Sequence, residues 1–134
     1  MSNLEKTSII ARFKIYADDF SIDDVSNVLQ KDPSDFTIKG QQGKFTVAKE
    51  TSWNIYTPMS ESLDVNQQLG ELLSILRPKK VQLLELKDKY QLNYLFSIII
   101  KIKNNQTPAI YFEHDIIEFA HDIKAEFDID LYVS

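Results

Sequence analysis

Three side chains near the end of the chain have the chemistry to ligate a metal: His114, Glu118 and His121. On a helix, their spacing of four and three residues brings all three to one side. Two imidazoles and a carboxylate in that arrangement are the donor types zinc takes. The apolar residues of the same stretch, Ile116, Ala120, Ile123 and Phe127, fall nearly opposite. The histidines therefore face away from the core, the ordinary place for polar groups on an amphipathic helix. The helical spacing of known zinc motifs is also missing. Metal-dependent hydrolysis is accordingly the weakest of three functional readings.

The other chemically suggestive groups have structural explanations. Asp18-Asp19 precede a helix and Asp23-Asp24 occupy its first turn, where the helix dipole favours negative charge. Asp128 and Asp130 alternate with Ile129, Leu131 and Val133, as on the exposed face of a strand. Gly40-Gln41-Gln42-Gly43 lacks the length and the lysine of a phosphate-binding loop. With no cysteine in the chain, disulfides, thiolate metal sites and cysteine nucleophiles are excluded. The sequence thus assigns no catalytic residue and calls for no cofactor.

Charge bears on partners. The 134 residues carry a net charge of −5, which disfavours nucleic acid. Pro108–Ser134 alone is net −6, while Arg77–Lys103 is net +5. Either the two segments lie side by side and neutralise each other, or the acidic one presents a face to a basic protein. On the second view Glu118, Asp122 and Glu126 are the partner-binding candidates. The N-terminus lacks the basic start and apolar run of a signal peptide, and no apolar run spans a membrane. The expectation is a soluble cytoplasmic protein.

The elements that must position these residues can be read from periodicity. Ser8–Ala17 alternates as a strand with one buried face. Ser21 begins a helix that carries Ile22, Val25, Val28 and Leu29 on one side and fails before Pro33. Lys31–Gln42 reads as a loop. Lys44–Ala48 and Ser52–Thr57 read as two short strands, with Trp53 anchoring the core. After a loop over Pro58–Ser62, Asp64–Leu76 has a clean leucine stripe and stops at Pro78. Lys79–Tyr90 fits a helix better than a strand. Leu92–Lys103 is apolar on both faces in its middle and reads as the central strand. A turn then leads to strand Ala109–Phe112, helix Asp115–Phe127 and strand Ile129–Val133.

The resulting order is β-α-β-β-α-α-β-β-α-β over residues 1–134, with residues 1–7 a flexible terminus. This makes a single α+β domain: one largely antiparallel sheet with helices packed on it. A ferredoxin-like variant is one arrangement of these elements.

Certain landmarks go further. Asp32-Pro33-Ser34-Asp35-Phe36-Thr37-Ile38-Lys39-Gly40 follows the helix ending in Val28-Leu29. Ser52-Trp53-Asn54-Ile55 comes next, and Asp128-Ile129-Asp130-Leu131-Tyr132 closes the chain. In these the chain resembles, over nearly its whole length, an uncharacterised bacterial family, the domain of unknown function numbered forty-two seventy-nine. The resemblance implies a small α+β bacterial domain and transfers no catalytic residue.

The leading functional expectation is a non-enzymatic domain that binds a basic protein, as an immunity or accessory protein does. A small-molecule-sensing or regulatory domain, with a site beside Trp53 or the Lys39-Gly40 loop, is the alternative. A homodimer through an exposed sheet edge is compatible with either.

Overall fold

The computed structural model describes residues 5–134. Six strands form one sheet: β1 (Ser8–Ala17), β2 (Asp35–Thr37), β3 (Thr51–Tyr56), β4 (Ser60–Glu61), β5 (Asn93–Ile102) and β6 (Glu126–Val133). Their order is β2-β3-β1-β5-β6, with the short β4 pairing the start of β1. All pairings are antiparallel except β5–β6, which is parallel. The α+β expectation of a largely antiparallel sheet with helices holds.

The helices are α1 (Ile22–Leu29), α2 (Val65–Leu76), α3 (Lys80–Tyr90) and α4 (His114–Ile123), with a 3₁₀ turn at Arg77–Lys79 between α2 and α3. Pro78 sits in that turn, so it redirects the helical chain instead of ending it outright. Lys79–Tyr90 is helical, as its spacing favoured.

The core follows from the alternation of the two longest strands. Ile9, Ala11, Phe13 and Ile15 of β1 lie beside Tyr94, Phe96, Ile98 and Ile100 of β5, all buried. The Phe13 ring packs against Tyr94 and Phe96 at 5.4 and 5.1 Å between centroids. Leu69, Leu72 and Leu76 of α2, Leu83 and Leu86 of α3, and Ile116, Phe119 and Ile123 of α4 complete one apolar cluster. Successive strand residues point to opposite faces. Arg12, Lys14 and Tyr16 therefore lie on the face opposite that cluster, where the Arg12 guanidinium donates to Ser97 Oγ at 3.2 Å.

Five local expectations are corrected. Lys44–Ala48 is not a strand. The edge of β3 that it would need is taken by β2, with Phe36 opposite Trp53. Residues 38–48 instead form an exposed excursion held by Gly40 N–H to Ala48 O (2.9 Å) and Gly43 N–H to Thr46 O (2.8 Å). Within the expected loop Lys31–Gln42, accordingly, Asp35–Thr37 is a strand, and Pro58–Ser62 contains β4.

Ala109–Phe112 is not a strand either. A parallel β6 requires the chain to cross over the helical side, and this segment is that crossing. It is held to the rest through Ala109, whose N–H donates to Leu63 O at 2.7 Å, through Tyr111, whose O accepts from Asn66 Nδ2 at 2.9 Å, and through Phe112, whose ring lies tilted against Phe127 at 4.5 Å between centroids. Helix α4 ends at Ile123 because Lys124 turns left-handed (φ 57°). Phe127 thus belongs to β6, and Phe119 takes the buried helical position assigned to it.

The loose terminus expected over residues 1–7 lies partly outside the described residues. Its last member, Thr7, is buried and its hydroxyl donates to Gln106 O.

Candidate binding groove

Of the residues first suspected of metal binding, Glu118 lines a cleft that it shares with Arg77 and Lys80, and neither histidine lines that cleft. His114 Nε2 lies 3.6 Å from Glu118 Oε2, with both side chains largely in solvent. His121 is also exposed. Among the described residues, no group of three or more His, Asp or Glu side chains converges on a common point.

The acidic candidates are divided between two surfaces. Asp122 accepts from Lys80 Nζ at 2.6 Å, and its neighbour Asp115 lies 3.6 Å from Arg77. Glu118 lines the same shallow seam between α3 and α4. Glu126 instead begins β6 beside Leu95 of β5. Helix α4 therefore meets the basic segment before it, and part of the −6 charge is neutralised internally.

A different surface combines apolar and acidic groups: the groove between α1 and β2. The local sequence builds it step by step. Ser21 caps α1, its Oγ accepting from Asp24 N–H at 3.1 Å. Gln30 ends the helix in a left-handed conformation (φ 53°). Pro33 then keeps the chain extended, and Ser34 N–H donates to Asn54 O at 2.7 Å, which starts the β2–β3 pairing. The wall is tied to the sheet from beneath by Trp53, whose Nε1 donates to Ser26 Oγ at 3.0 Å.

The groove measures about 660 Å³. Its floor is Phe20, Ile22, Pro33, Phe36 and Ile38, and its rim includes Asp23 and Asp32. Phe36 and Ile38 are each 48% exposed, high for side chains of this kind beside a sheet. The nearby aspartates are already committed. Asp18 takes Lys39 at 2.7 Å, and Asp24 takes Lys89 at 2.8 Å and the Tyr90 hydroxyl at 2.6 Å. Those bonds, Lys89 first and Tyr90 second, hold the Asp24 carboxyl below the usual carboxylate range. Asp23 and Asp32 have no ion-pair partner among the described residues.

Two other surfaces offer less. A cleft of about 620 Å³ near Thr7 and Asp64 is lined largely by polar groups that bond one another, such as Ser62 Oγ with Gln67 Oε1 at 3.1 Å. On the open face of the sheet, Arg12 Nε and Asn54 Oδ1 are buried without a partner, sealed beneath neighbouring side chains and out of a ligand's reach.

Sequence reasoning came close to the groove without assembling it. It singled out the Pro33–Gly40 loop and assigned Asp23 to a helix start, but nothing local says that these meet. The available signal was Phe36 and Ile38, two large apolar residues in a stretch read as loop.

The fold and the groove define an α+β domain with a preformed surface cleft, and no metal-ligating cluster of three His, Asp or Glu side chains forms among the described residues. The family described as Domain of unknown function (DUF4279) matches residues 5–134, and the chain belongs to it. No curated protein and no solved structure matches the chain. Among the described residues, no helix is long and apolar enough to cross a membrane.

Proposed function

We propose that the chain is a non-enzymatic protein-binding domain whose α1–β2 groove takes a segment of a partner protein. The segment carries an apolar anchor flanked by Lys or Arg. The observation that carries this reading is the pairing of an exposed apolar floor, Phe36 and Ile38, with two uncommitted rim carboxylates, Asp23 and Asp32. The floor supplies burial and the rim selects a basic sequence. An immunity or accessory protein that caps a basic partner would use such a surface. Helix α4 offers less for this role, because Lys80 and Arg77 already lie against its carboxylates.

The test is capture of a protein from the source cell on immobilised chain, with Phe36→Asp and the pair Asp23→Lys/Asp32→Lys beside it. The same protein should be lost from both variants and should bind more weakly as salt rises, since rim charges are screened. Removing one well-buried aromatic anchor should cost on the order of 2 kcal/mol, roughly thirtyfold in affinity. Capture indifferent to both variants removes the groove from the reading. A retained small molecule that the groove variants release would favour the ligand-sensing alternative.

A further inference from the structure

Among the described residues, strand β6 is an edge with no strand on its outer side. Ile129, Leu131, Tyr132 and Val133 are 37, 52, 58 and 72% exposed. A long apolar edge of this kind is normally shortened, charged on both faces or covered. The backbone register says which of its groups are free. Ser134 N–H donates inward to Ile102 O, at the end of the β5–β6 ladder. By the two-residue alternation of a strand, Asp128, Asp130 and Tyr132 also direct their N–H and C=O groups inward. Ile129, Leu131 and Val133 direct theirs outward, with no partner strand among the described residues.

We infer that this edge pairs with β6 of a second copy of the chain, antiparallel and centred on Leu131. Bonds across the edge require outward residues to oppose outward residues, which leaves few registers. Centring on Ile129 sets Asp128 against the Asp130 of the second copy, and centring on Asp130 sets that aspartate against itself. Like charges directly opposite are destabilising. Centring on Leu131 opposes no carboxylates. Leu131 meets Leu131, Ile129 meets Val133, and Asp130 meets Tyr132. A centre one residue later also avoids opposed carboxylates, but it shortens the overlap and loses the Ile129–Val133 pair.

In this register the free N–H and C=O groups of Leu131 close on their equivalents. Ile129, Leu131 and Val133 lie on the sheet face shared with Phe127, so their side chains form one apolar strip across the two copies. The two sheets become one continuous sheet. The two Asp130 carboxylates remain diagonal neighbours at about 7–8 Å. Added salt should therefore strengthen self-association, the opposite of its effect on a basic partner in the groove.

Because the chain has no cysteine, engineered thiols report the register directly. Leu131→Cys should form an interchain disulfide on mild oxidation. Ile129→Cys should not, since the two Ile129 positions would lie about 13 Å apart along the strands. Sedimentation of the unmodified chain should show a concentration-dependent dimer. Leu131→Arg, which sets two cations together, should be monomeric with unchanged circular dichroism. Leu131→Pro removes only an outward N–H and should also be monomeric, which guards against misfolding of the arginine variant. A chain that stays monomeric at its highest soluble concentration overturns the inference and leaves the edge to a different strand. Equal cross-linking of Ile129→Cys overturns the register. Neither result bears on the groove, whose variants lie on the opposite edge of the sheet.

Discussion

Asp24 illustrates how one carboxylate serves two elements. Its backbone N–H is capped by Ser21, while its side chain holds Lys89 and Tyr90 at the end of α3. The two bonds keep its folded pKa below the unfolded value of about 3.9. A group lowered in this way contributes stability that is present above the unfolded pKa and lost as pH falls through the folded pKa. Urea unfolding of the wild-type chain and Asp24→Asn should therefore differ at neutral pH, with the variant weaker. The difference should narrow in acid, as the wild-type carboxyl takes up its proton. A gap constant across that range would assign the cost to packing instead of charge. Trp53 shows the same economy. It is fully buried, yet its one polar atom reaches Ser26 and so fixes α1 over β3. That a lone tryptophan anchors the core could be read from the sequence; which hydroxyl it meets could not, because Ser26 lies 27 positions away.

At the scale of elements, the helices end in an unusual way for their sequence. Gln30, Gln91 and Lys124 all adopt left-handed backbone at the C-terminal caps of α1, α3 and α4, where glycine is the common choice. Lys124 also lies near Lys87, whose pKa is lowered by burial first and by Lys124 second. Lys124→Gly should therefore raise stability by about 0.5–1 kcal/mol, the relief of the left-handed side chain less the extra unfolded-state freedom of glycine. Denaturant unfolding measures it, and a loss of stability would show that the Lys124 side chain contributes more than its backbone costs.

These caps also explain which boundaries were legible. Long periodic runs such as Ser8–Ala17, Asp64–Leu76 and Leu92–Lys103 announce themselves, because burial of one face or both dictates their residues. Short elements depend on what lies beside them. Asp35-Phe36-Thr37 becomes a strand because Trp53 and its neighbours offer an edge, and Phe45 and Val47 do not because that edge is then full. Lys124 carries no mark of a helix end, so in the sequence alone the apolar stripe reads on to Phe127. The groove was hidden for the same reason: its floor comes from residues on both sides of α1.

At the scale of the whole molecule, the basic and acidic segments are brought side by side, and their charges meet in the Lys80–Asp122 and Arg77–Asp115 pairs. Surface pairs of this exposure contribute at most about 1 kcal/mol each. Their larger effect is to commit Asp115 and Asp122, two of the three carboxylates of α4, to Arg77 and Lys80, while Glu118 has no Lys or Arg partner among the described residues. The two ends of the sheet differ in character from this face and from each other. At the β2 end, apolar groups lie beside two carboxylates, Asp23 and Asp32, that have no ion-pair partner among the described residues. At the β6 end, an apolar strip carries its acids on the opposite face. A partner at one end leaves the other open, so the sheet could join a copy of itself while holding a different protein at its far edge.

The pairing of β1 with β5 at the centre of that sheet has a consequence in time. Arg12 and Ser97 meet across 85 positions of sequence. A chain made from its N-terminus therefore releases β1 long before its principal neighbour exists. Ile9, Phe13 and Ile15 must wait with their apolar face unsatisfied until β5 emerges, so the domain closes late in synthesis. Refolding from denaturant meets the same delay, since distant ends of the chain must find each other before burial compensates the lost chain entropy. Stopped-flow tryptophan fluorescence, reporting from Trp53 at the β1–β3 junction, should show folding over roughly milliseconds to seconds and not microseconds. Microsecond folding would mean that the helices and the β1–β3 pair assemble without the centre of the sheet.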